Sequence, residues 1–330
     1  MLPGKKYRVE DILAIAWRHI WYLLVPCALI GAGTAMGSRM LPDQYRSETL
    51  ILVLAATVCP FGTLAEGVPG FATIEDLEAA GVAVDAVAIC TPPQVRHRLA
   101  AQALGRGLHV LLEKPPAATL SEAASLVDLA AGAGLTIFAA WHSRFAAGVE
   151  PAREWLARRR ILGVRITWRE DVRVWHPGQA WIWQSGGFGV FDPGINALSI
   201  ATRILPQPIA LTDAELEFPA NQHAPIAARL SLETAGAPIA VDFDFRQTGP
   251  QSWDIEVETD GGTLLLSHGG AVLTLPEGTR QASDAEYPAL YARFTDLIRS
   301  GASDVDTAPL QLVADAFARG RVIPTEPFHD

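Results

Sequence analysis

Strand-like and helix-like segments alternate between residues 54 and 140, and this alternation limits the possible fold more than any other feature of the sequence. Short apolar runs predict strands, and the longer runs between them predict helices. The predicted strands are 54–59, 86–90, 109–113 and 136–140, and the predicted helices are 74–80, 94–104 and 119–132. Strands that alternate with helices in this way indicate a doubly wound α/β fold with a parallel sheet.

The pattern changes after residue 160. An alternating polar and apolar run covers 164–174, a helix is predicted at 191–205, and a series of strand-like segments with polar turns follows. These segments are 214–218, 227–233, 239–245, 252–258, 262–267 and 271–274, and two predicted helices, 287–299 and 309–320, end the chain. Adjacent strands joined by polar turns are typical of a mostly antiparallel sheet. The sequence therefore predicts an α/β domain over 54–145 and an α+β domain over 146–330.

Glu113, Lys114 and Pro115 stand at the carboxyl end of the third predicted strand. Ligands of open α/β sheets bind outside the carboxyl ends of the strands, so a carboxylate and an amine at this position are well placed for chemistry. The proline after Lys114 has a fixed φ and no N–H donor, which restricts the backbone at the lysine. The structural alternative is an ordinary surface lysine in a strand-to-helix turn.

The charge and the cysteines argue against several classes of partner. The formal net charge of −10 is the opposite of what a nucleic-acid backbone attracts. Cys27, Cys59 and Cys90 are scattered and form no CxxC motif, so we expect no disulfide and no structural zinc. The eight histidines lack ligand spacing of the HxxxH kind, so we expect no metal site.

The first fifty residues allow two interpretations. Residues 20–38 contain no charged side chain and follow a basic stretch, which predicts a short membrane helix with a cytoplasmic N-terminus. Alternatively, 27–37 is a strand that enters a glycine-rich dinucleotide-binding loop. In that loop Met36 occupies the place of the third glycine, so the motif is imperfect. Both interpretations stay open, with the membrane helix favoured.

The amino-acid sequence of this segment also resembles a known class of protein. Residues 1–7, 17–18 and 41–53 are similar to the start of polysaccharide chain-length determinant proteins of the inner membrane. This resemblance implies a membrane-anchored polysaccharide-assembly protein as an alternative function, located in the inner membrane if 20–38 inserts. Such a protein predicts long helices with heptad periodicity after residue 55, and the sequence has no such pattern.

Four short motifs follow one another in the rest of the chain. They are Cys90-Thr91-Pro92-Pro93, Glu113-Lys114-Pro115, Trp141-His142-Ser143-Arg144 and the run 187–196, which ends Asp192-Pro193-Gly194-Ile195-Asn196. In order and spacing they resemble the glucose–fructose oxidoreductase / inositol dehydrogenase (Gfo/Idh/MocA) family over residues 54–330. The last motif, together with 170–179, is similar to the branch of aldose 1-dehydrogenases acting on sugars such as D-galactose or L-arabinose. The resemblance implies a Rossmann-like domain, NAD or NADP as cofactor, and oxidation of the sugar's C1 hydroxyl to a lactone.

Lys114 and Asp192 are the candidate catalytic residues. Loss of hydride from C1 is coupled to loss of the hydroxyl proton, which requires a general base within hydrogen-bond reach. Either residue suits that role: a lysine near a cationic nicotinamide has its charged form disfavoured, and an aspartate accepts a proton while the lysine polarises the oxygen. The structural alternative for Asp192 is an N-cap, with Pro193 at the first position of the helix.

Five residues are predicted to bind the sugar. They are His142, Glu170, Trp175, Asn196 and Trp253. Asn196 follows Asp192 by four residues, so on a helix the two share one face, and its amide would orient the hydroxyl. A tryptophan beside a carboxylate suits the apolar face and polar rim of a sugar. Trp253 is implied by the resemblance alone, and a satisfied core histidine is the alternative for His142.

Six residues are predicted to bind the cofactor. They are Cys59, Cys90, Thr91, Pro92, Glu113 and Lys114. Cys59 stands where an acidic residue would favour NAD through the ribose hydroxyls, so the sequence does not choose between NAD and NADP. The first β–α unit is atypical, which leaves an inactive or binding-only protein as an alternative. The resemblance further implies a cytoplasmic enzyme and a homo-oligomer formed through the exposed sheet.

Overall fold

The computed structural model describes residues 51–54, 74–79, 84–283 and 285–329. All of them belong to one compact unit, Thr49–Asp330. Cys59 and the segment 20–38, with both of its interpretations, lie outside these residues. In the described part of the chain no helix combines the length and the apolar character that crossing a membrane requires.

A four-stranded parallel sheet forms the first layer of the fold. Its strands, in the order β1-β2-β3-β4, are Ile51–Leu54, Ala86–Ile89, His109–Glu113 and Ile137–Ala140. The helices that connect them are α1 (Ile74–Ala79), α2 (Pro93–Gly105) and α3 (Leu120–Ala133). The first strand begins three residues before the predicted 54–59, and only Leu54 of that prediction is described. The structure confirms the predicted Rossmann-like parallel sheet.

Both faces of this sheet are buried, which explains why its strands are almost entirely apolar. On one face Val87 and Ile89 pack in a cluster with residues of α2 and α3. On the other face Ala88 packs in a cluster with Phe294 of α7 (Glu286–Ser300). Successive strand residues point to opposite faces, so the helix from the end of the chain covers the side that α2 and α3 leave open.

A nine-stranded sheet forms the second layer. Its strands are β5 (Ile161–Arg169), β6 (Ala210–Pro219), β7 (Ala227–Thr234), β8 (Ala237–Asp244), β9 (Ser252–Thr259), β10 (Gly262–Ser267), β11 (Val272–Leu275), β12 (Gly278–Gln281) and β13 (Arg321–Thr325). The order is β12-β11-β10-β9-β5-β8-β7-β6-β13, and only the β5–β8 and β6–β13 pairs are parallel. The predicted mostly antiparallel sheet is therefore confirmed.

Besides α7, the described second half of the chain contains four helices: α4 (Val149–Leu156), α5 (Val172–Trp175), α6 (Phe191–Ile204) and α8 (Ala308–Arg319). The alternating run predicted over 164–174 is a strand only to Arg169, because Asp171 accepts a hydrogen bond from Arg173 N and caps α5. Helix α6 lies against the sheet so closely that a Cβ at Gly194 would stand 2.6 Å from the Phe243 ring. This contact sets the distance between α6 and the face of the sheet.

A 3₁₀ turn, His142–Phe145, follows β4 and precedes α4. The predicted domain boundary after residue 145 stays a prediction, and it falls at the end of this turn. The turn brings a histidine from the edge of the parallel sheet to the space that faces the second sheet.

Candidate active site

A cavity of about 910 Å³ lies between the carboxyl ends of β2 and β3 and the ends of β5 and β9. Every residue that the sequence predicts for the site lines this cavity, apart from Cys59, which lies outside the described residues. They are Cys90, Thr91, Pro92, Glu113, Lys114, His142, Glu170, Trp175, Asp192, Asn196 and Trp253. The cavity therefore brings together predicted residues that are up to 163 positions apart in the sequence, Cys90 and Trp253.

Lys114 and Asp192 form an ion pair in the cavity. The ammonium of Lys114 donates to Asp192 Oδ1 at 2.9 Å and to the backbone carbonyl of the same residue at 2.9 Å. Both side chains are largely buried. The interpretation of Asp192 as an N-cap is wrong: the cap position is Val190, and the carboxylate of Asp192, already inside the first turn of α6, is turned toward Lys114.

The ammonium of Lys114 keeps Asp192 ionised. Burial raises the pKa of this carboxyl, but the charge of Lys114 and its hydrogen bond to the carboxylate outweigh the burial and hold the pKa below its usual range. At neutral pH the site thus contains a carboxylate with one oxygen bound to an ammonium. The other oxygen, Oδ2, faces the imidazole of His176.

Asn196 lies one turn after Asp192 on the same face of α6 and lines the same cavity. Among the described residues its buried Oδ1 has no hydrogen-bond partner. Buried polar atoms are almost always paired, so an unpaired one in a cavity marks a place where a donor from a ligand would bind. Asn196 is therefore available to orient a hydroxyl group.

Glu170 is the centre of a buried polar network. Its Oε1 lies 2.8 Å from His176 Nε2, and its Oε2 accepts a hydrogen bond of 2.8 Å from Trp253 Nε1. His176 Nδ1 lies 3.7 Å from Asp192 Oδ2 and has no hydrogen-bond partner in the described part of the chain. The sequence assigned no role to His176, because nothing in its spacing from Glu170 shows that the α5 turn folds it back against that carboxylate.

Three tryptophans form an apolar wall beside this network. Trp168 and Trp253 pair across β5 and β9 and stack with their ring centroids 5.7 Å apart. Trp175 tilts against Trp253 at 4.7 Å and is 39% exposed. The wall thus offers flat indole surface with a carboxylate at its edge, the combination that suits a sugar ring.

His142 is held by the first turn of α7 and is not an isolated core histidine. Its Nδ1 lies 2.8 Å from Glu286 Oε2, and its ring stacks on Tyr287 at 5.4 Å. The Tyr287 hydroxyl donates to Glu113 Oε1 at 3.2 Å. Burial, and then the charge of Glu113, raise the pKa of Tyr287, so its phenol stays a donor. The sequence missed Glu286 and Tyr287, since no local pattern links α7 to this cavity.

Arg96 connects the ends of β2 and β3 from below the cavity. Its buried guanidinium donates to three backbone carbonyls, those of Thr91, Glu113 and Pro115, the second at 2.7 Å. Burial lowers its pKa to about 10, and the charge of Glu113 opposes that change, so it remains a cation at neutral pH. Arg96 was also missed from the sequence, although its charge helps to hold Asp192 ionised.

The β2 side of the cavity suits the nicotinamide end of a dinucleotide. Thr91 is buried and lines the cavity, and its Oγ1 has no hydrogen-bond partner among the residues that the structure covers. Pro92 and Pro93 open α2, whose first turn therefore points toward the same space. An unpaired hydroxyl at a strand end beside a helix N-terminus fits a polar ligand with ribose and phosphate groups.

Comparisons with known proteins agree with this geometry. A model of the Gfo/Idh/MocA oxidoreductase family, NAD-binding Rossmann fold, matches residues 25–140. Galactose 1-dehydrogenase of Pseudomonas fluorescens is 44% identical over 306 residues, which are 92% of this chain and 98% of that protein. The crystal structure of D-galactose-1-dehydrogenase from Rhizobium etli is 52% identical, with a TM-score of 0.77 over 84% of this chain and 89% of that chain.

A more distant structure shares the fold alone. A 3-ketoreductase from Actinomadura kijaniata, solved with NADP, is 18% identical, with a TM-score of 0.64 over 73% of this chain and 80% of that chain.

The comparisons also bear on the first fifty residues. The family match starts at residue 25, and the Pseudomonas match covers more of the chain than residues 54–330 alone can supply. The family match therefore includes the segment 27–37. The resemblance of residues 1–53 to chain-length determinants has no support among these comparisons.

Proposed function

The chain belongs to the Gfo/Idh/MocA oxidoreductase family, and from that membership we propose that it oxidises D-galactose at C1 to the lactone, with NAD or NADP as hydride acceptor. One observation carries the proposal most directly. The buried Lys114–Asp192 pair lies in a single cavity between an unpaired Thr91 hydroxyl and a wall of tryptophans around Glu170. A cofactor on one side and a sugar on the other would meet at this pair.

Residues at the ends of β2 and β3 would hold the nicotinamide half of the cofactor. Cys90, Thr91 and Pro92 line the cavity after β2, and Glu113 lines it after β3. The glycines of 27–37 would approach the pyrophosphate, as the family match over that segment suggests. When bound, the oxidised nicotinamide accepts the hydride released from C1.

Asp192 is the better candidate for the base. Two hydrogens of the Lys114 ammonium already bind Asp192, which leaves the third to polarise the C1 hydroxyl oxygen. The hydroxyl proton then passes to Asp192 Oδ2 as the C1–H bond breaks. His176 Nδ1, 3.7 Å from that oxygen, would take the proton onward while Glu170 holds the imidazole.

The tryptophan wall would bind the sugar ring. Trp253 and Trp175 provide apolar surface, and Glu170 and Asn196 provide acceptors for ring hydroxyls. His142 is tied to Glu286 at the boundary between the cofactor side and the sugar side, where it would contact both ligands. These roles follow the sequence predictions, with His176 added by the structure.

The test is an oxidation assay with the purified full chain. We expect reduced nicotinamide to form from D-galactose with NAD or NADP, and the lactone to be the product by chromatography. D-Glucose, which differs only at C4, serves as the matched control and should react at least about 10-fold more slowly, because one misplaced hydroxyl leaves polar groups unpaired. Tight cofactor binding without turnover of any aldose would reject the proposal.

The setting of the enzyme is part of the same proposal. We place it in the cytoplasm, where nicotinamide cofactors are available, and we expect a homo-oligomer that uses the open face of the nine-stranded sheet. A monomer on a sizing column at micromolar concentration would contradict the second statement.

A further inference from the structure

A short turn after β10, His268–Gly270, has the most unusual backbone conformation among the segments that line the cavity. Its residues have φ values of 52°, 69° and 98°. In the described part of the chain His268 and Ala235 are the two non-glycine residues with positive φ, and Ala235 lies in the turn between β7 and β8. A left-handed backbone costs free energy when the residue has a Cβ, and glycine would avoid that cost. A histidine at position 268 therefore indicates a role for its side chain, which glycine could not perform.

The turn is held firmly in place. Gly148 N donates to the carbonyl of Gly270 at 2.8 Å. A Cβ on Gly270 would stand 3.0 Å from Val149 and 3.1 Å from Ala146, so the turn is packed directly on α4 and the segment before it. The backbone of His268 is thus a fixed platform for its side chain.

The turn lies at the far end of Trp253 from the reacting groups. The indole Nε1 of Trp253 faces Glu170, and Glu170 leads through His176 to Asp192. On the opposite, benzene edge of the same indole, a Cβ on Gly269 would stand 3.8 Å from Cε3. His268 and Gly269 both line the cavity, and His268 is exposed at its rim.

The backbone of His268 is also bound to β9, because its N–H donates a hydrogen bond to the carboxylate of Asp254. Burial raises the pKa of Asp254 on β9, and the neighbouring His268 opposes that rise. An imidazole offers one donor and one acceptor, so the side chain of His268 at the rim of the cavity is equipped to bind a hydroxyl group. The mechanism described above uses neither residue.

We propose that His268 binds the exocyclic hydroxymethyl group of a hexose substrate and so favours hexoses over pentoses of the same ring configuration. The inference rests on the proposed function. With C1 at Asp192 and the ring on Trp253, the exocyclic group on C5 would extend beyond the ring toward His268 at the rim. D-Galactopyranose has a hydroxymethyl group there, D-fucose has a methyl group, and L-arabinopyranose has hydrogen.

Two variants compared on these three sugars test the inference. His268→Asn keeps a side chain that tolerates positive φ but is too short to reach, and His268→Gly removes the strain together with the side chain. We expect kcat/KM for D-galactose to fall about 5- to 10-fold in both, the size of one lost hydrogen bond. The values for D-fucose and L-arabinose should stay within about 2-fold of wild type, since neither sugar has the hydroxyl group that His268 binds.

The outcomes separate this inference from the function on which it rests. An equal loss on all three sugars, or no loss on D-galactose, would overturn the role of His268 while leaving the dehydrogenase in place. A wild type that oxidises none of the three would overturn both. His97→Ala is the matched control, because that histidine contacts Ser125 on α3 and does not line the cavity.

Discussion

The two walls of the cavity are built in different ways. On the cofactor side, the functional groups follow strand ends and are fixed through the backbone: Arg96 binds the carbonyls on both sides of Lys114. On the sugar side, the contacts run between side chains, from His176 to Glu170 and from Glu170 to Trp253. The first wall presents charge at a set position, and the second presents apolar surface with one buried carboxylate.

This difference implies a division of kinetic roles. Groups that meet the reacting atoms should act mainly on kcat, because they stabilise the transition state more than the bound sugar. Groups of the tryptophan wall should act mainly on KM, because they bind sugar and transition state about equally.

Removal of the lysine amine is expected to have the largest effect. In Lys114→Met, kcat should fall roughly 10²- to 10⁴-fold, because the C1 oxygen loses its polarising donor and Asp192 loses its partner. Affinity for the cofactor, measured by fluorescence titration, should change by only a few fold. A variant that keeps kcat but loses cofactor affinity would show that Lys114 acts in cofactor binding. It would contradict the proposed difference between the two walls.

Neutralisation of Asp192 should change both activity and acid stability. Asp192→Asn should lower kcat roughly 10²-fold. Because its folded-state pKa lies below the ordinary value, the wild-type carboxylate stabilises the fold above about pH 4, and that stability is lost as the pH falls through the folded-state pKa. Thermal unfolding measured across acidic pH should therefore depend less on pH in the variant. Parallel curves for the two proteins would contradict the assigned ion pair.

The sugar wall is tested by Trp253→Phe. An aromatic ring is retained, although smaller than the indole, but Glu170 Oε2 loses its donor, so we expect KM for D-galactose to rise about 10-fold with kcat within about 3-fold. Steady-state kinetics at saturating cofactor measure both constants. If kcat falls as much as KM rises, the network from Trp253 to Asp192 contributes to the chemical step. The two walls would then not differ in their kinetic roles.

The smallest effect is expected at Tyr287. Tyr287→Phe removes only the hydrogen bond to Glu113 Oε1, in a side chain that is 46% exposed. We expect a change of about 2- to 5-fold in cofactor affinity and no change in KM for the sugar. A larger effect on the sugar would assign this tyrosine to the other wall.

Local patterns in the sequence were sufficient to predict the residues at the end of β3 and on the first turns of α6. A strand that ends in Glu113 and Lys114, and a spacing of four between Asp192 and Asn196, are features of neighbouring residues, and both are present in the structure. The alternation of strands and helices was sufficient for the parallel sheet, because β2, β3 and β4 are buried on both faces.

The rest depends on contacts between distant residues. His176 is brought to Glu170 by one short helical turn, while Tyr287 and Glu286 reach the cavity from a helix near the end of the chain. Strand β12 was missed because all four of its residues are exposed, so no apolar alternation marks it. The strained backbone at His268 could not be predicted, because no pattern of residues indicates a positive φ there.

The close contact at Gly194 has a consequence for directed evolution. Any side chain at this position would enter the space of the Phe243 ring, so a library randomised across 192–196 should return glycine at its centre whatever sugar is used for selection. Substitutions in helix α6 are thus a poor way to change substrate preference, because the helix cannot change its orientation without separating from the sheet. Altered preference would have to come from positions such as Trp175 and His268, where the cavity opens and a new side chain has room.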